Sequence, residues 1–202
     1  MNLLKGTGLN QIRGIVFDLD GTLVSSSLDF NQIRLDLDCP PGEDVLTFVE
    51  ALSPQERAKA EAIIHQHEVD DAEQSEWLPG AKAFVDQCLE IGVPLAILTR
   101  NSEFASKKKI SKNNIPISLL FTRENSLPKP DPSALNEIAK LFSLPNHSIM
   151  MVGDYKYDLE AGRNAKMSTC LVNCEGEPDY LHLADHRYSS FIHLHEAFFN
   201  ER

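Results

Sequence analysis

The chain has 202 residues, with 30 acidic and 19 basic side chains, 42% hydrophobic residues and a formal net charge of -11. This composition is typical of a globular protein and argues against extended disorder. The acidic excess also argues against binding nucleic acid through its phosphates, because that mode needs a basic face. The one short basic run, Lys107 to Lys109, is interpreted as a solvated helix face.

The cysteines and the apolar runs indicate the compartment. Four irregularly spaced cysteines do not suggest a disulfide framework, and the Met-Asn-Leu-Leu-Lys start has no apolar signal segment. No apolar run approaches the roughly 20 residues that cross a bilayer. We therefore expect a cytoplasmic protein with neither nucleic acid nor membrane as a partner, and assign no oligomeric state.

Short apolar runs alternate with helix-like stretches along most of the chain. In chain order, strands are predicted at residues 14–17, 93–98, 117–120 (the weakest), 149–152 and 167–172. Helices are predicted at residues 80–91, 102–113, 132–142 and 155–165. This alternation predicts an α/β fold with a doubly wound parallel sheet and helices on both faces.

One segment, from about Ser25 to Trp77, contains no convincing strand and is predicted to be all helical. Ser53-Pro54-Gln55-Glu56 is a helix start, with a capping serine, proline at the first helical position and glutamate three residues after the cap. A long helix should run from there toward residue 73. We therefore predict a catalytic core of residues 1–24 and 79–202, interrupted by a helical cap of residues 25–78.

Polar side chains follow the predicted strands, where an open parallel sheet binds its ligands. They are Asp18 and Asp20 after the first strand, Thr99 after the second, Asp154 and Asp158 after residue 152, and Lys129 in a proline-rich loop. Carboxylates suit Mg²⁺, while a lysine and a hydroxyl suit phosphate oxygens. The set predicts a cation and phosphate site.

These residues, in this order, resemble the four motifs of the haloacid dehalogenase-like hydrolase superfamily. The motifs are Asp18-Leu19-Asp20-Gly21-Thr22, Thr99, Lys129 and Gly153-Asp154-Tyr155-Lys156-Tyr157-Asp158. The resemblance covers about residues 12–172, and the helical insert resembles the small cap of the phosphoglycolate-phosphatase-like branch. It implies the Rossmann-like core of that superfamily.

The resemblance also implies a role for each position. Asp18 would be the nucleophile and Asp20 the general acid and base, while Thr99 and Lys129 would bind phosphate. Mg²⁺ would be held by Asp18, Asp20 (through its backbone carbonyl) and Asp154, with support from Thr22, Gly153 and Asp158. The expected activity is hydrolysis of a small phosphorylated metabolite, a phosphomonoester, through an aspartyl-phosphate. Asp20 favours phosphoester chemistry, since dehalogenases and phosphonatases lack this aspartate.

Four further positions are weaker candidates. Arg100 and Asn101 follow Thr99, and their backbone amides are candidates for cradling phosphate at a helix N-terminus. The Arg100 side chain has two open interpretations, a contact to a second anionic group of the substrate or a solvent-facing position. Phe30 and Arg34 follow the first linker and are candidate substrate selectors, Arg34 for substrate charge.

Three rival functions remain open from the sequence. A phosphoglucomutase-type enzyme would return the phosphoryl group to a sugar instead of releasing it, although the insert has few basic residues for a bisphosphate. A signalling receiver domain uses similar residues, but in a different order and without the insert. An inactive interaction protein would be expected to lose Asp18 or Asp20, and both are present.

Overall fold

The sheet determines where the site lies. The structure is a computed structural model that describes residues 8–174 and 176–200. In those residues the strands are β1 Gly14–Phe17, β2 Leu95–Leu98, β3 Leu119–Phe121, β4 Ile149–Gly153, β5 Ser168–Val172 and β6 His186–Tyr188. They form one sheet in the order β3-β2-β1-β4-β5-β6, and all neighbouring pairs are parallel. The predicted α/β class is confirmed.

In the described residues the helices are α1 Phe30–Asp36, α2 Val45–Ala51, α3 Pro54–Gln74, α4 Ala81–Glu90, α5 Glu103–Asn113, α6 Ser133–Phe142, α7 Lys156–Asn164 and α8 Phe191–Asn200. Of these, α4 to α8 cover the two faces of the sheet. Successive side chains of a strand point to opposite faces, so Ile15 and Phe17 pack with α4 and α8 while Val16 packs with α6 and α7. Both faces are thus buried, which explains why the central strands are apolar throughout.

The strand order changes direction between β1 and β4. From β1 the chain builds β2 and β3 on one side, then returns to add β4, β5 and β6 on the other. The loops after β1 and β4 therefore separate from each other at the carboxyl edge of the sheet, which leaves a crevice there. Such a switch point is where open α/β sheets bind ligands.

The cap comprises α1, α2 and α3, which share a small apolar cluster of their own, made by Ile33, Val45, Val49, Ala60 and Ile64. Helix α3 begins with a capping box in which the Ser53 side chain accepts from the Glu56 amide and the Glu56 carboxylate accepts from the Ser53 amide. The chain enters and leaves side by side, because the Ser25 amide donates to the Glu76 carbonyl at 2.8 Å. Across the described ranges, no helix combines the length and apolarity that crossing a membrane requires.

Sequence reasoning missed two elements, β6 and α8. Helix α8 places Phe191, Leu194 and Phe198 in the main core. The ring of Phe84, on α4, packs against those of Phe17 and Phe191, at centroid distances of 6.1 and 5.6 Å. The C-terminal helix is therefore part of the core and not an appendage.

Replacement of Phe84 by alanine tests this packing. We expect a loss of about 3–5 kcal/mol in the free energy of unfolding, because a fully buried ring contacts both the sheet and α8. Urea unfolding followed by circular dichroism measures it. Phe104→Ala, at a ring that is 58% exposed, is the control and should cost less than about 1 kcal/mol. Equal midpoints for the two variants would contradict the assignment of α8 to the core.

Candidate active site

The turn after β1 brings the first motif against the fourth. The Asp18 amide donates to the Val152 carbonyl at 2.9 Å, so this aspartate continues the β1–β4 pairing. Gly21 follows with φ at +70°, and a Cβ atom there would lie 2.3 Å from an oxygen of Asp154. The Thr22 hydroxyl donates to the other oxygen of Asp154 at 3.1 Å. Position 21 thus requires glycine, both for its positive φ and because any side chain would collide with Asp154. Thr22 orients the Asp154 carboxylate.

Three carboxylates converge at this point: oxygens of Asp18, Asp154 and Asp158 all lie within 4.8 Å of one another. Asp158 reaches the group from the first turn of α7, where it also accepts the Tyr155 amide at 3.1 Å. A Cβ atom on Gly153 would lie 2.3 Å from the Asp158 side chain. The glycine therefore allows Asp158 to approach the end of β4.

Lys129 lies beside this group, with its ammonium 2.7 Å from Asp18 and 2.6 Å from Asp158. Burial alone would lower the pKa of Lys129, but the two carboxylates outweigh it and the pKa is raised. Burial, and then repulsion from Asp158 and Asp18, raises the pKa of Asp154. The pKa of Asp158 is also raised, by burial, although Lys129 opposes the shift.

The group fits a hard divalent cation. Every donor is a carboxylate oxygen, the ligand type that such cations prefer. Asp158 is already engaged by Lys129 and the Tyr155 amide, whereas Asp154 receives only the neutral Thr22 hydroxyl among the hydrogen bonds of the described residues. A cation between Asp18 and Asp154 would therefore offset the repulsion that raises the pKa of Asp154.

Asp20 is held at both carboxylate oxygens. The Asn101 side-chain amide donates to one oxygen at 2.6 Å, and the ammonium of Lys109 lies 2.5 Å from the other. Burial raises the pKa of Asp20 to about 6, against the opposing effect of Lys109. A carboxyl group with a pKa in this range can both give and take a proton near neutral pH.

The contact with Lys109 corrects the sequence interpretation of the basic run. Lys107 and Lys108 are 66% and 31% exposed, but the Lys109 side chain is 0% exposed. It shares the buried face of α5 with Ala105 and Ser106, at helical spacings of three and four residues. Lys109 is therefore a site residue that the composition of the run concealed.

The loop after β2 supplies the remaining polar groups. The Thr99 amide donates to the Phe121 carbonyl, and the Thr99 hydroxyl oxygen accepts the Asn101 amide at 3.2 Å. Thr99 and Asn101 are both buried at the floor of the cavity described below. The Asn101 amide proton is thus already bonded to Thr99, while the Asn101 side chain holds Asp20.

Arg100 has a partner that neither sequence interpretation included. One of its terminal nitrogens lies 2.8 Å from both carboxylate oxygens of Asp44, the residue that caps α2. Its guanidinium carbon lies 4.4 Å from the centre of the Tyr157 ring. The Arg100 side chain therefore links the core to the cap.

A cavity of about 450 Å³ lies between the cap and the carboxyl edge of the sheet. Its floor includes Asp18, Asp20, Thr99, Asn101, Lys129, Asp154 and Asp158, and its cap wall is largely apolar, made by Leu28, Phe30, Ile33, Val45, Leu46 and Ile64. Phe30 and Arg34 both line it, and their role as substrate selectors stays a prediction. The guanidinium of Arg34 donates to the backbone carbonyls of Phe30 and Glu43.

Comparison with known proteins places the chain in a family. The family model of haloacid dehalogenase-like hydrolases matches residues 40–172. A haloacid dehalogenase-like hydrolase domain-containing protein of Arabidopsis thaliana is 29% identical over 178 residues, which cover 82% of this chain and 73% of that protein. An uncharacterized hydrolase of Saccharomyces cerevisiae is 31% identical over 182 residues, or 85% of this chain and 83% of that one.

A solved structure shares the fold. The crystal structure of a "predicted phosphoglycolate phosphatase" from Haemophilus somnus superposes with a TM-score of 0.73 at 19% identity, covering 96% of this chain and 100% of that one. At that identity the likeness concerns the fold alone. With the family match over more than half of the chain, it leads to one conclusion: this protein belongs to the haloacid dehalogenase-like hydrolases.

Proposed function

We propose that this hydrolase is a Mg²⁺-dependent phosphatase that cleaves a small phosphomonoester through an aspartyl-phosphate on Asp18. The placement of Asp18 carries the proposal. Its carboxylate lies on the cavity floor within a group of three carboxylates, 2.7 Å from the buried ammonium of Lys129. A nucleophilic carboxylate needs this combination, because a cation must neutralise the phosphoryl group that it attacks.

Mg²⁺ would be held by Asp18 and Asp154, with the backbone carbonyl of Asp20 as a further ligand, and Asp158 would support the site through Lys129. When bound, it would neutralise charge on the phosphoryl oxygens and on the attacking carboxylate. The ammonium of Lys129 would bind another phosphoryl oxygen, and the Thr99 hydroxyl would orient the group.

The reaction proceeds in two displacements. A carboxylate oxygen of Asp18 bonds to phosphorus as the bond from phosphorus to the ester oxygen breaks, and Asp20 gives its proton to the departing alcohol. Asp20 then takes a proton from the water that attacks the aspartyl-phosphate, which releases phosphate and restores Asp18. Two easier steps replace one hydrolysis that is extremely slow without a catalyst.

Membership of the hydrolase family argues against the receiver-domain alternative, and both catalytic aspartates argue against an inactive protein. The mutase alternative shares Asp18 and differs in the fate of the phosphoryl group. We propose net release to water, since the cap wall offers few cations to a bisphosphate. A cytoplasmic location and a small metabolite as partner belong to the same proposal.

Asp18→Asn should abolish phosphate release, because a side-chain amide is too weak a nucleophile to form the acyl phosphate. We expect at least a ~10³-fold fall in kcat on p-nitrophenyl phosphate, measured as inorganic phosphate. Asp86→Asn, at a half-exposed ion pair on α4, is the control and should keep normal activity. Turnover retained in Asp18→Asn would refute the assignment of Asp18 as the nucleophile. A wild-type protein that exchanges phosphate between sugar phosphates without net release would instead favour the mutase alternative.

Mg²⁺ should stabilise the folded protein by binding between Asp18 and Asp154. At saturating Mg²⁺ we expect a rise of roughly 5 °C or more in the thermal midpoint, reversed by EDTA. Asp154→Asn should lose most of this rise, whereas Asp86→Asn should keep it. A rise of equal size in Asp154→Asn, measured by differential scanning calorimetry, would place the cation elsewhere.

The cap wall favours a substrate with an uncharged, partly apolar alcohol. Its lining is mostly aliphatic and aromatic, and the charges of Arg100 and Glu68 are matched by Asp44 and Arg123. A second anionic group would have to displace these pairs or recruit Arg34. The cavity volume of about 450 Å³ suits a compact molecule.

Kinetics on two esters test this preference. We expect kcat/KM for phenyl phosphate to exceed that for phosphoglycolate by about tenfold, equivalent to ~1.4 kcal/mol of apolar contact in the transition state. Arg34→Gln should change the ratio little. A preference for phosphoglycolate that Arg34→Gln removes would instead make Arg34 the selector of substrate charge.

A further inference from the structure

Lys109 is a buried cation that none of the four motifs includes. It lies on α5, in the core, and its ammonium is 2.5 Å from a carboxylate oxygen of Asp20 and 2.6 Å from one of Asp71. Asp71 belongs to α3, in the cap, and is itself almost fully buried. One ammonium group thus joins the proposed general acid to the inserted helix.

Asp71 is in turn fixed by the linker through which the chain enters the cap. It accepts hydrogen bonds from the Ser26 hydroxyl at 2.9 Å and from the Ser27 amide at 2.5 Å, and the Ser27 hydroxyl is a third donor at 3.0 Å. Lys109 therefore contacts a carboxylate that has little freedom to move. Its position is set from the cap side as well as from α5.

The geometry at Asp20 shows what Lys109 does there. With Asn101 on one oxygen and Lys109 on the other, the carboxyl plane of Asp20 cannot rotate without breaking a buried hydrogen bond. Its side chain also lines the cavity, where the ester oxygen of a substrate would lie. A catalytic group can lose about 10²-fold of its effect when it is misplaced by about 1 Å.

We propose that Lys109 is a positioning residue that orients the carboxyl group of Asp20, and that Asp71 of the cap holds the ammonium of Lys109 in place. The inference rests on the proposed function, since it assigns Asp20 a role in proton transfer. It assigns Lys109 no contact with the substrate, because the ammonium is enclosed by α5, Asp20 and Asp71. The cap thereby contributes to the catalytic step as well as to the cavity wall.

The test exploits the different needs of two leaving groups. Glycerol 2-phosphate must release an alkoxide, which requires a proton from Asp20, whereas p-nitrophenyl phosphate releases a phenolate that does not. Lys109→Met removes the ammonium and keeps an unbranched side chain. Lys108→Met is the matched control, since Lys108 is the preceding residue and also pairs with α3, through the exposed Glu73.

For Lys109→Met we expect kcat on glycerol 2-phosphate to fall about 10²-fold with KM changed by less than about threefold, because a positioned acid contributes 10²–10⁴-fold. On p-nitrophenyl phosphate, the first turnover should keep its rate within about threefold. Hydrolysis of the aspartyl-phosphate, which needs Asp20 as a base, should slow, so stopped-flow absorbance should show a burst of nitrophenolate. Lys108→Met should match the wild type in all respects.

If Lys109 had a purely structural role, Lys109→Met would lower kcat equally for both esters, because a smaller fraction of the protein would be folded, and it would give no burst. That result would overturn the inference. The inference would also be overturned if Lys108→Met and Lys109→Met had the same kcat on each of the two esters. If Lys109→Met unfolds, shown by circular dichroism, Lys109→Met combined with Asp71→Asn removes the stranded buried charge and is measured in its place. A wild-type protein inactive on both esters would refute the proposed function itself.

Discussion

The repulsion among four largely enclosed carboxylates at the carboxyl edge of the sheet determines where the neighbouring cations must lie. Asp18, Asp20, Asp154 and Asp158 are brought together by two adjacent strands, and burial raises the pKa of the last three. Two buried lysines divide the compensation between them: Lys129 contacts Asp18 and Asp158, while Lys109 contacts Asp20. Asp154 has no such cationic partner among the described residues, and under the proposed function a divalent cation would fill that role.

The cap is attached to the core through charge as well as through chain connectivity. Helix α3 lies along α5, and its Asp71 pairs with Lys109 of α5, while its Glu68 pairs with Arg123 in the loop after β3. Glu68 also accepts the Ser102 amide at the start of α5. Because both carboxylates are almost fully buried, removing one partner would leave an uncompensated charge, which costs far more than breaking an exposed pair. These pairs hold α3 in one position above the cavity.

The sequence predicted what short range patterns determine and missed what tertiary packing determines. Apolar runs located β1 to β5, and the Ser53 capping box located α3, which ends one residue beyond the expected limit. Strand β6 has three residues at the sheet edge and none is fully buried, so it carries no apolar run. From the sequence alone, Lys109 is expected on a solvated face, because lysines are seldom buried without a partner. Its spacing from Ala105 and Ser106 was the signal available, but Asp71, 38 residues earlier, was needed to interpret it.

Arg100 is a second residue whose partner is distant in the sequence and could not be predicted from local patterns. Its position directly after Thr99 left two interpretations open, a contact to a second anionic group of the substrate or a solvent-facing side chain, yet its partner is Asp44, 56 residues earlier in the cap. The pair joins the N-terminus of α2 to the loop after β2, with Tyr157 stacked on the guanidinium, and both side chains are about one quarter exposed. At that exposure water weakens the attraction, so the Arg100 pair is easier to open than the buried pairs of α3. The link between α2 and the core through Arg100 is therefore weaker than the link through α3, whose two carboxylates are almost fully buried.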